Sequence, residues 1–212
     1  MKIFLDFDDT LFNTKDFIRD FSDIFSSQGI SRETYQATRK KAYRSFDSTT
    51  DVYDVDLHID ILKRQFSHFD TLQAKRSVDA FMQDTSAYVF PDVVPFLEEM
   101  KQQGNECYVL SFGQADFQMQ KIQGTGLGAY FQGVMIVQDK KHVAIRSHMT
   151  HPHEPVWFFE DRADYIDDVK DFLPSVVVVQ VSRLFGRYHD TQSENADYMI
   201  GSLYDILPIF EK

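Results

Sequence analysis

Two kinds of apolar pattern alternate along this chain. The first is a short, nearly continuous run: KIFLDF at the amino terminus, CYVLSF from Cys107, VWFFED from Val156, VVVVQV from Val176 and, more weakly, GVMIV from Gly133. Strands apolar at successive positions have both faces covered, the condition of a parallel sheet between helices. The second kind repeats every three or four residues. It is seen in VVPFLEEMKQQG, ADFQMQKIQG and YIDDVKDFL, which stop at Gly104, Gly124 and Pro174. Strands alternating with helices predict βαβ crossovers and an α/β fold, a Rossmann-like doubly wound parallel sheet.

One stretch interrupts that rhythm. Between about Asn13 and Tyr88 no buried strand is evident, and TKDFIRDFSDIFSSQG, SRETYQATRKKAYRSF, DLHIDILKRQF and TLQAKRSVDAFMQD read as amphipathic helices. Phe17, Phe21, Ile24 and Phe25 share one face, and Ser31 is placed to cap the second helix. The expected organisation is a core made of 1–12 and 87–212, carrying an inserted α-helical cap at 13–86.

Composition narrows the possible partners. The 212 residues are 43% hydrophobic, enough for one sizeable core with a smaller accessory unit. A formal net charge of −11 argues against a grip on a phosphate backbone, so no polymeric nucleic acid is expected. Cys107 is the single cysteine; it excludes an intrachain disulfide, suits a reducing compartment and reads as a small buried hydrophobe. The apolar stretch before Asp6 is too brief for a signal peptide, and VVVVQV is too short to cross a bilayer. A cytoplasmic protein without a membrane partner is expected.

The chemistry concentrates at the carboxyl ends of the strands, where loops of an open parallel sheet converge. Those ends carry Asp6, Asp8 and Thr10, then Ser111, Phe112 and Gly113, then Lys140 and Lys141, then Glu160, Asp161 and Asp164. Asp6, Asp8 and Asp9 lie within four residues, and their mutual repulsion must be offset by water, by a cation, or by a task that needs close carboxylates. An acidic turn capping a helix is the plain alternative. A calcium loop fails because Leu11 stands where its glycine belongs and Phe17 where its glutamate belongs. GTGLGA at Gly124 follows a helix, which removes it as a dinucleotide fingerprint. His148, His151 and His153 lack zinc spacing and read as a loop near the active-site edge, while Asp167 and Asp168 read as a helix start.

In order and local context these elements resemble the motifs of the haloacid dehalogenase-like hydrolase superfamily. DFDDT resembles its first motif, VLSFG its second, Lys140 or Lys141 its third, and FFEDRADYIDD its fourth, with Glu160 where the family often has an aspartate. The resemblance implies a C1-capped, magnesium-dependent phosphatase. In it Asp6 attacks phosphorus and Asp8 protonates the leaving oxygen, then takes a proton from the hydrolytic water. Mg2+ would sit among Asp6, the Asp8 carbonyl and a fourth-motif acid, with Asp161 preferred over Glu160 and Asp164. Thr10, Ser111, Phe112, Gly113 and one lysine, preferably Lys141, would hold the phosphoryl oxygens. One carboxylate of the Asp6–Asp8 pair must be charged and the other protonated.

A small phosphorylated metabolite or nucleotide is the expected partner. A dehalogenase is disfavoured because halide departure leaves an acid at Asp8 idle. A phosphomutase uses the same aspartates, and a silent binding module would have no reason to keep Asp6.

Overall fold

The computed structural model describes residues 1–45, 51–138, 140–151, 154–184, 186–188 and 190–210. Chain order runs β1 (Lys2–Leu5), α1 (Thr14–Asp23), α2 (Arg32–Arg39), β2 (Tyr43–Ser45), β3 (Asp51–Tyr53), α3 (Val55–Gln65), α4 (Thr71–Met82), α5 (Val93–Gln102) and β4 (Glu106–Phe112). It continues with α6 (Ala115–Gly124), β5 (Gly133–Val137), α7 (Lys141–His148), β6 (Val156–Glu160), α8 (Ala163–Phe172), β7 (Val177–Val181) and β8 (Tyr198–Ile200).

Six parallel strands form one sheet in the order β5-β4-β1-β6-β7-β8. This is the α/β Rossmann-like arrangement that the apolar runs imply. β1 lies between β4 and β6, so the chain reverses its direction across the sheet there, and the crevice beyond the carboxyl end of β1 is the topological switch point. One core cluster includes Ile3, Leu5, Val109 and Phe159; another includes Phe4, Leu110, Phe158 and Val178. Successive residues of β1 therefore feed opposite faces, which explains its unbroken apolarity. Cys107 is buried, and burial pushes its thiol up to about 12, so it behaves as a packing residue.

Helices α1 to α4 lie between β1 and β4 in sequence, and an antiparallel hairpin interrupts them. The helix expected over SRETYQATRKKAYRSF ends at Arg39. Tyr43 then pairs with Tyr53 across β2 and β3, while Phe46 lies outside the described residues. The apolar phase of α2 lapses at Lys40 and Lys41, and aromatic and β-branched residues favour the pleated alternative. Ser31 caps α2 by accepting from the Thr34 N–H at 3.1 Å. Phe17, Phe21 and Phe25 are buried, and Ile24 packs partly buried beside them. Strand β8 escapes a periodicity reading because it is three residues long and two of them are exposed. Among the described residues no helix is long and apolar enough to cross a membrane.

The histidine loop lies at the opposite end of the sheet from the expected position. Lys2, which opens β1, donates to the His148 carbonyl at 2.6 Å and pairs with Glu154. The loop leads into the start of β6, so it belongs to the amino ends of the strands; His153 lies outside the described residues.

Where the insert returns to the core, Thr85 donates through its N–H to the Gly124 carbonyl at 2.9 Å and through Oγ1 to the Lys121 carbonyl at 2.7 Å. A Cβ on Gly124 would stand 2.4 Å from the Met82 carbonyl oxygen and 2.8 Å from Thr85 Oγ1. Relief requires backbone movement, which outweighs the gain in helix propensity. Gly124→Ala is expected to cost about 1–3 kcal/mol of stability in chemical denaturation, and an unchanged midpoint would show that this junction yields freely.

Candidate active site

The loop after β1 is tied at both ends by buried apolar residues. Phe7, Leu11 and Phe12 are fully buried, and the Leu11 and Phe12 N–H groups donate to the Phe7 carbonyl at 2.9 and 3.0 Å. That tight turn places Asp9 at φ +58°, a left-handed conformation that aspartate tolerates better than most residues. The three acids then diverge, and each meets a different cation. Asp6 Oδ1 accepts from Lys141 Nζ at 2.5 Å, Asp8 Oδ1 accepts from Lys121 Nζ at 2.6 Å, and Asp9 Oδ2 accepts from Arg187 Nε. Three individual ion pairs offset the repulsion that the sequence poses.

Around Asp6 the balance of charge stays negative. Lys141, the first residue of α7, also donates to Glu160 Oε2 at 2.6 Å, so one buried ammonium serves two buried carboxylates. Ligand oxygens of Asp6, Glu160 and Asp161 lie within 4.8 Å of one another. Burial first, and then the charge of Glu160, push the Asp6 carboxyl up to about 7 against the pull of Lys141. Burial, Glu160 and Asp6 likewise raise Asp161 well above the carboxylate range. Asp161 Oδ2 is buried and has no hydrogen-bond partner. Both Glu160 oxygens are engaged, Oε2 by Lys141 and Oε1 by the Arg162 N–H at 3.2 Å. A buried, unpartnered carboxylate oxygen in a net-negative cluster of hard oxygen donors suits a small divalent cation such as Mg2+.

Asp8 is held in the opposite sense. Oδ1 also accepts from Thr14 Oγ1 at 2.6 Å, and Oδ2 accepts from Gln118 Nε2 at 2.8 Å. Burial works against its charge, but Lys121 and then Arg187 outweigh burial and hold its carboxyl well below the usual range. Lys121 is itself buried, its Nζ 5.3, 5.3 and 5.5 Å from the ring centroids of Phe7, Phe12 and Phe17. Gln118 also donates to Ser111 Oγ at 2.7 Å, joining the ends of β1 and β4 through α6. In the free protein Asp8 is thus the charged member of the pair and Asp6 the one with raised proton affinity. The spacing of the two acids leaves open which is charged, and the cation beside Asp8 decides it.

A pocket of about 210 Å³ opens over these groups. Its wall includes Asp6, Asp8, Glu160 and Asp161 from the sheet edge, Gln118 and Lys121 from α6, and Phe21, Tyr35, Arg39, Tyr43 and Tyr53 from the insert. The model of the haloacid dehalogenase-like hydrolase family matches residues 3–162. The chain belongs to that family. Comparison with curated proteins finds no match. Among solved structures, a protein described as a haloacid dehalogenase-like hydrolase from Burkholderia xenovorans superposes with a TM-score of 0.77 at 16% identity, over 98% of this chain and 95% of that one. L-2-haloacid dehalogenase from Xanthobacter autotrophicus, with chloropropionic acid covalently bound, gives 0.63 at 16% over 99% and 98%. CbbY from Rhodobacter sphaeroides in complex with phosphate gives 0.62 at 16% over 97% and 95%. At such identities these likenesses concern the fold.

Within this haloacid dehalogenase-like frame the sequence-derived candidates separate. Asp6, Asp8, Phe112, Gly113, Glu160 and Asp161 line the pocket. Ser111 and Lys141 are buried behind its wall, reaching it through Gln118 and through Asp6 with Glu160. Lys140 is exposed and pairs with Asp168, so Lys141 is the lysine of this site. Asp164 turns to Arg162 with its side chain 63% exposed and stands outside the carboxylate cluster; two residues into the turn of α8, it faces solvent instead of the crevice. Thr10 is buried away from the pocket wall, and its carbonyl accepts from Arg183 Nε and Nη2 at 3.2 and 2.7 Å. Gln118, Lys121, Arg183 and Arg187 were not among the candidates. The signal for the first two was available: on α6 they share the buried side with Phe117 and Ile122.

Proposed function

We propose that this protein is a magnesium-dependent phosphatase that hydrolyses a small phosphomonoester through an aspartyl-phosphate at Asp6. The observation that carries the reading is the buried Asp6–Glu160–Asp161 cluster around Lys141, with one oxygen of Asp161 unpartnered, beside a second carboxylate clamped from three sides. Asp6 and Asp161 would hold Mg2+, which supplies positive charge against the phosphoryl oxygens. Asp6 forms a bond to phosphorus as the bond to the alcohol oxygen breaks. The arriving phosphate dianion opposes the hold of Lys121 and raises the proton affinity of Asp8. Asp8 takes up one proton from solvent and passes it to the departing alcohol. Water then attacks phosphorus, Asp8 accepts its proton, and the acyl phosphate bond breaks to return Asp6 and inorganic phosphate. Lys141 neutralises charge between Asp6 and Glu160 throughout, and the insert 13–86 serves as the cap over a core of 1–12 and 87–212. A haloacid would give Asp8 no leaving group to protonate.

Hydrolysis of p-nitrophenyl phosphate with Mg2+, and then with excess chelator, tests the proposal. Chelation is expected to lower the rate roughly 100-fold or more, equivalent to several kcal/mol of charge stabilisation. Equal rates under both conditions, or chloride release from 2-chloropropionate in place of phosphate release, would remove it.

A further inference from the structure

Three arginines line the pocket, and two are committed to acids. Arg162 pairs with Asp164, and Arg187 with Asp9. The third, Arg39, closes α2 in the insert, and among the described residues no carboxylate pairs with it. Its guanidinium carbon stands 4.7 Å from the ring centroid of Tyr53 and 5.5 Å from that of Tyr43. Tyrosine faces stabilise the charge, the Tyr35 hydroxyl meets part of the guanidinium, and the other N–H groups match a planar or tetrahedral oxyanion.

The rings that carry Arg39 are themselves fixed from behind. Thr38 Oγ1 donates to the Thr34 carbonyl at 2.8 Å, so its lone pair accepts from His58 Nε2 at 2.8 Å. His58 Nδ1 then accepts from the Tyr53 hydroxyl at 3.0 Å, and Tyr53 accepts in turn from Tyr35 at 3.4 Å. His58 is fully buried, and burial followed by the nearby charge of Arg39 lowers it to about 4, so the neutral ring joins the chain with one donor and one acceptor nitrogen. A chain of four hydrogen-bonded side chains therefore holds Tyr53, against which Arg39 rests, in a pocket that Asp6, Glu160 and Asp161 also line.

We propose that Arg39 is the subsite for a second anionic group, carboxylate or phosphoryl, carried on the alcohol portion of the substrate. This rests on the phosphatase reading for the first anion and adds the class of ester: one with a negative charge at each end. A neutral alcohol would leave a half-buried guanidinium facing the pocket without a counter-charge.

Binding of phosphonates, which needs no turnover, separates the two ideas. Dissociation constants in the presence of Mg2+ are compared for propylphosphonate, 3-phosphonopropionate and propane-1,3-bisphosphonate. The parent is expected to bind at least one of the doubly charged probes about tenfold tighter than propylphosphonate, and the tighter of the two identifies the second anion. Arg39→Gln is expected to bring that ratio within about twofold of unity, with Arg39→Lys intermediate, because one charge-assisted contact is lost or weakened. Arg76→Gln, an exposed change of equal charge on α4, should leave the ratio intact. No preference in the parent, or a preference that survives Arg39→Gln, overturns the subsite. Aryl phosphate turnover without the preference sinks this inference alone, and the preference without turnover sinks the hydrolase reading alone.

Discussion

Asp6→Asn is expected to abolish hydrolysis of an aryl phosphate, lowering kcat by roughly four orders of magnitude or more, as loss of a nucleophile does. The amide keeps the shape of the side chain but cannot form the acyl phosphate. Folding should not suffer. In the parent, burial and Glu160 disfavour the Asp6 charge, so removing it relieves repulsion, while Lys141 keeps its bond to Glu160. The carboxyl is raised above its unfolded value, so its ionisation opposes folding increasingly as pH climbs from the ordinary carboxylate range through about 7. The variant should therefore melt at or above the parent temperature at pH 8. Phosphate release assays and thermal unfolding check both halves. Residual turnover near the parent rate would place the nucleophile elsewhere.

Lys121→Met should be strongly damaging to stability at this site. It leaves Asp8, whose side chain is 21% exposed at the pocket, without its nearest cation, a loss that approaches about 3–5 kcal/mol only when both partners of a pair are fully buried. The sign with pH follows from linkage. In the parent, Asp8 is depressed below its unfolded value, so its contribution is fully present above the ordinary aspartate range and is lost as pH falls through and below that range. Without Lys121, burial dominates and the carboxyl moves up, so charge becomes unfavourable at neutral pH. The gap in stability between parent and variant is thus largest near pH 7 and narrows toward pH 4. Denaturant titrations at both pH values measure it. A constant gap would mean that packing, not charge, is the function of the ammonium group.

Much of this fold is legible in the sequence. Five of the six parallel strands follow from unbroken apolar runs, since a strand covered on both faces leaves no other pattern. Strand β8 and the β2–β3 hairpin did not, because three-residue strands are shorter than any period they could display. At the site, Asp6, Asp8, Phe112, Gly113, Glu160 and Asp161 line the pocket as the strand-end rule expects, whereas Thr10, Lys140 and Asp164 turn elsewhere. Arg183 and Arg187 follow β7, whose carboxyl end obeys the same rule but carries only the lone hydroxyl of Ser182 and no acid beside it to attract notice. Gln118 and Lys121 needed a different question, namely why two polar residues ride the buried side of a helix. The charge state of Asp6 and Asp8 could not be read from their spacing at all. It depends on which cation each one meets, and those cations, Lys121, Lys141 and Arg187, come from three different parts of the chain.

The distances along the backbone between those partners set an order in time. Lys121 follows Asp8 by 113 residues, Lys141 follows Asp6 by 135, and Arg187 follows Asp9 by 178. At about 5–20 residues added per second, the ribosome delivers Asp8 roughly 6–23 s ahead of its counter-ion. Until then the nascent acids depend on water, and a chain released before position 121 neutralises none of them. What is synthesised first at this end of the sheet is the last to find its electrical balance.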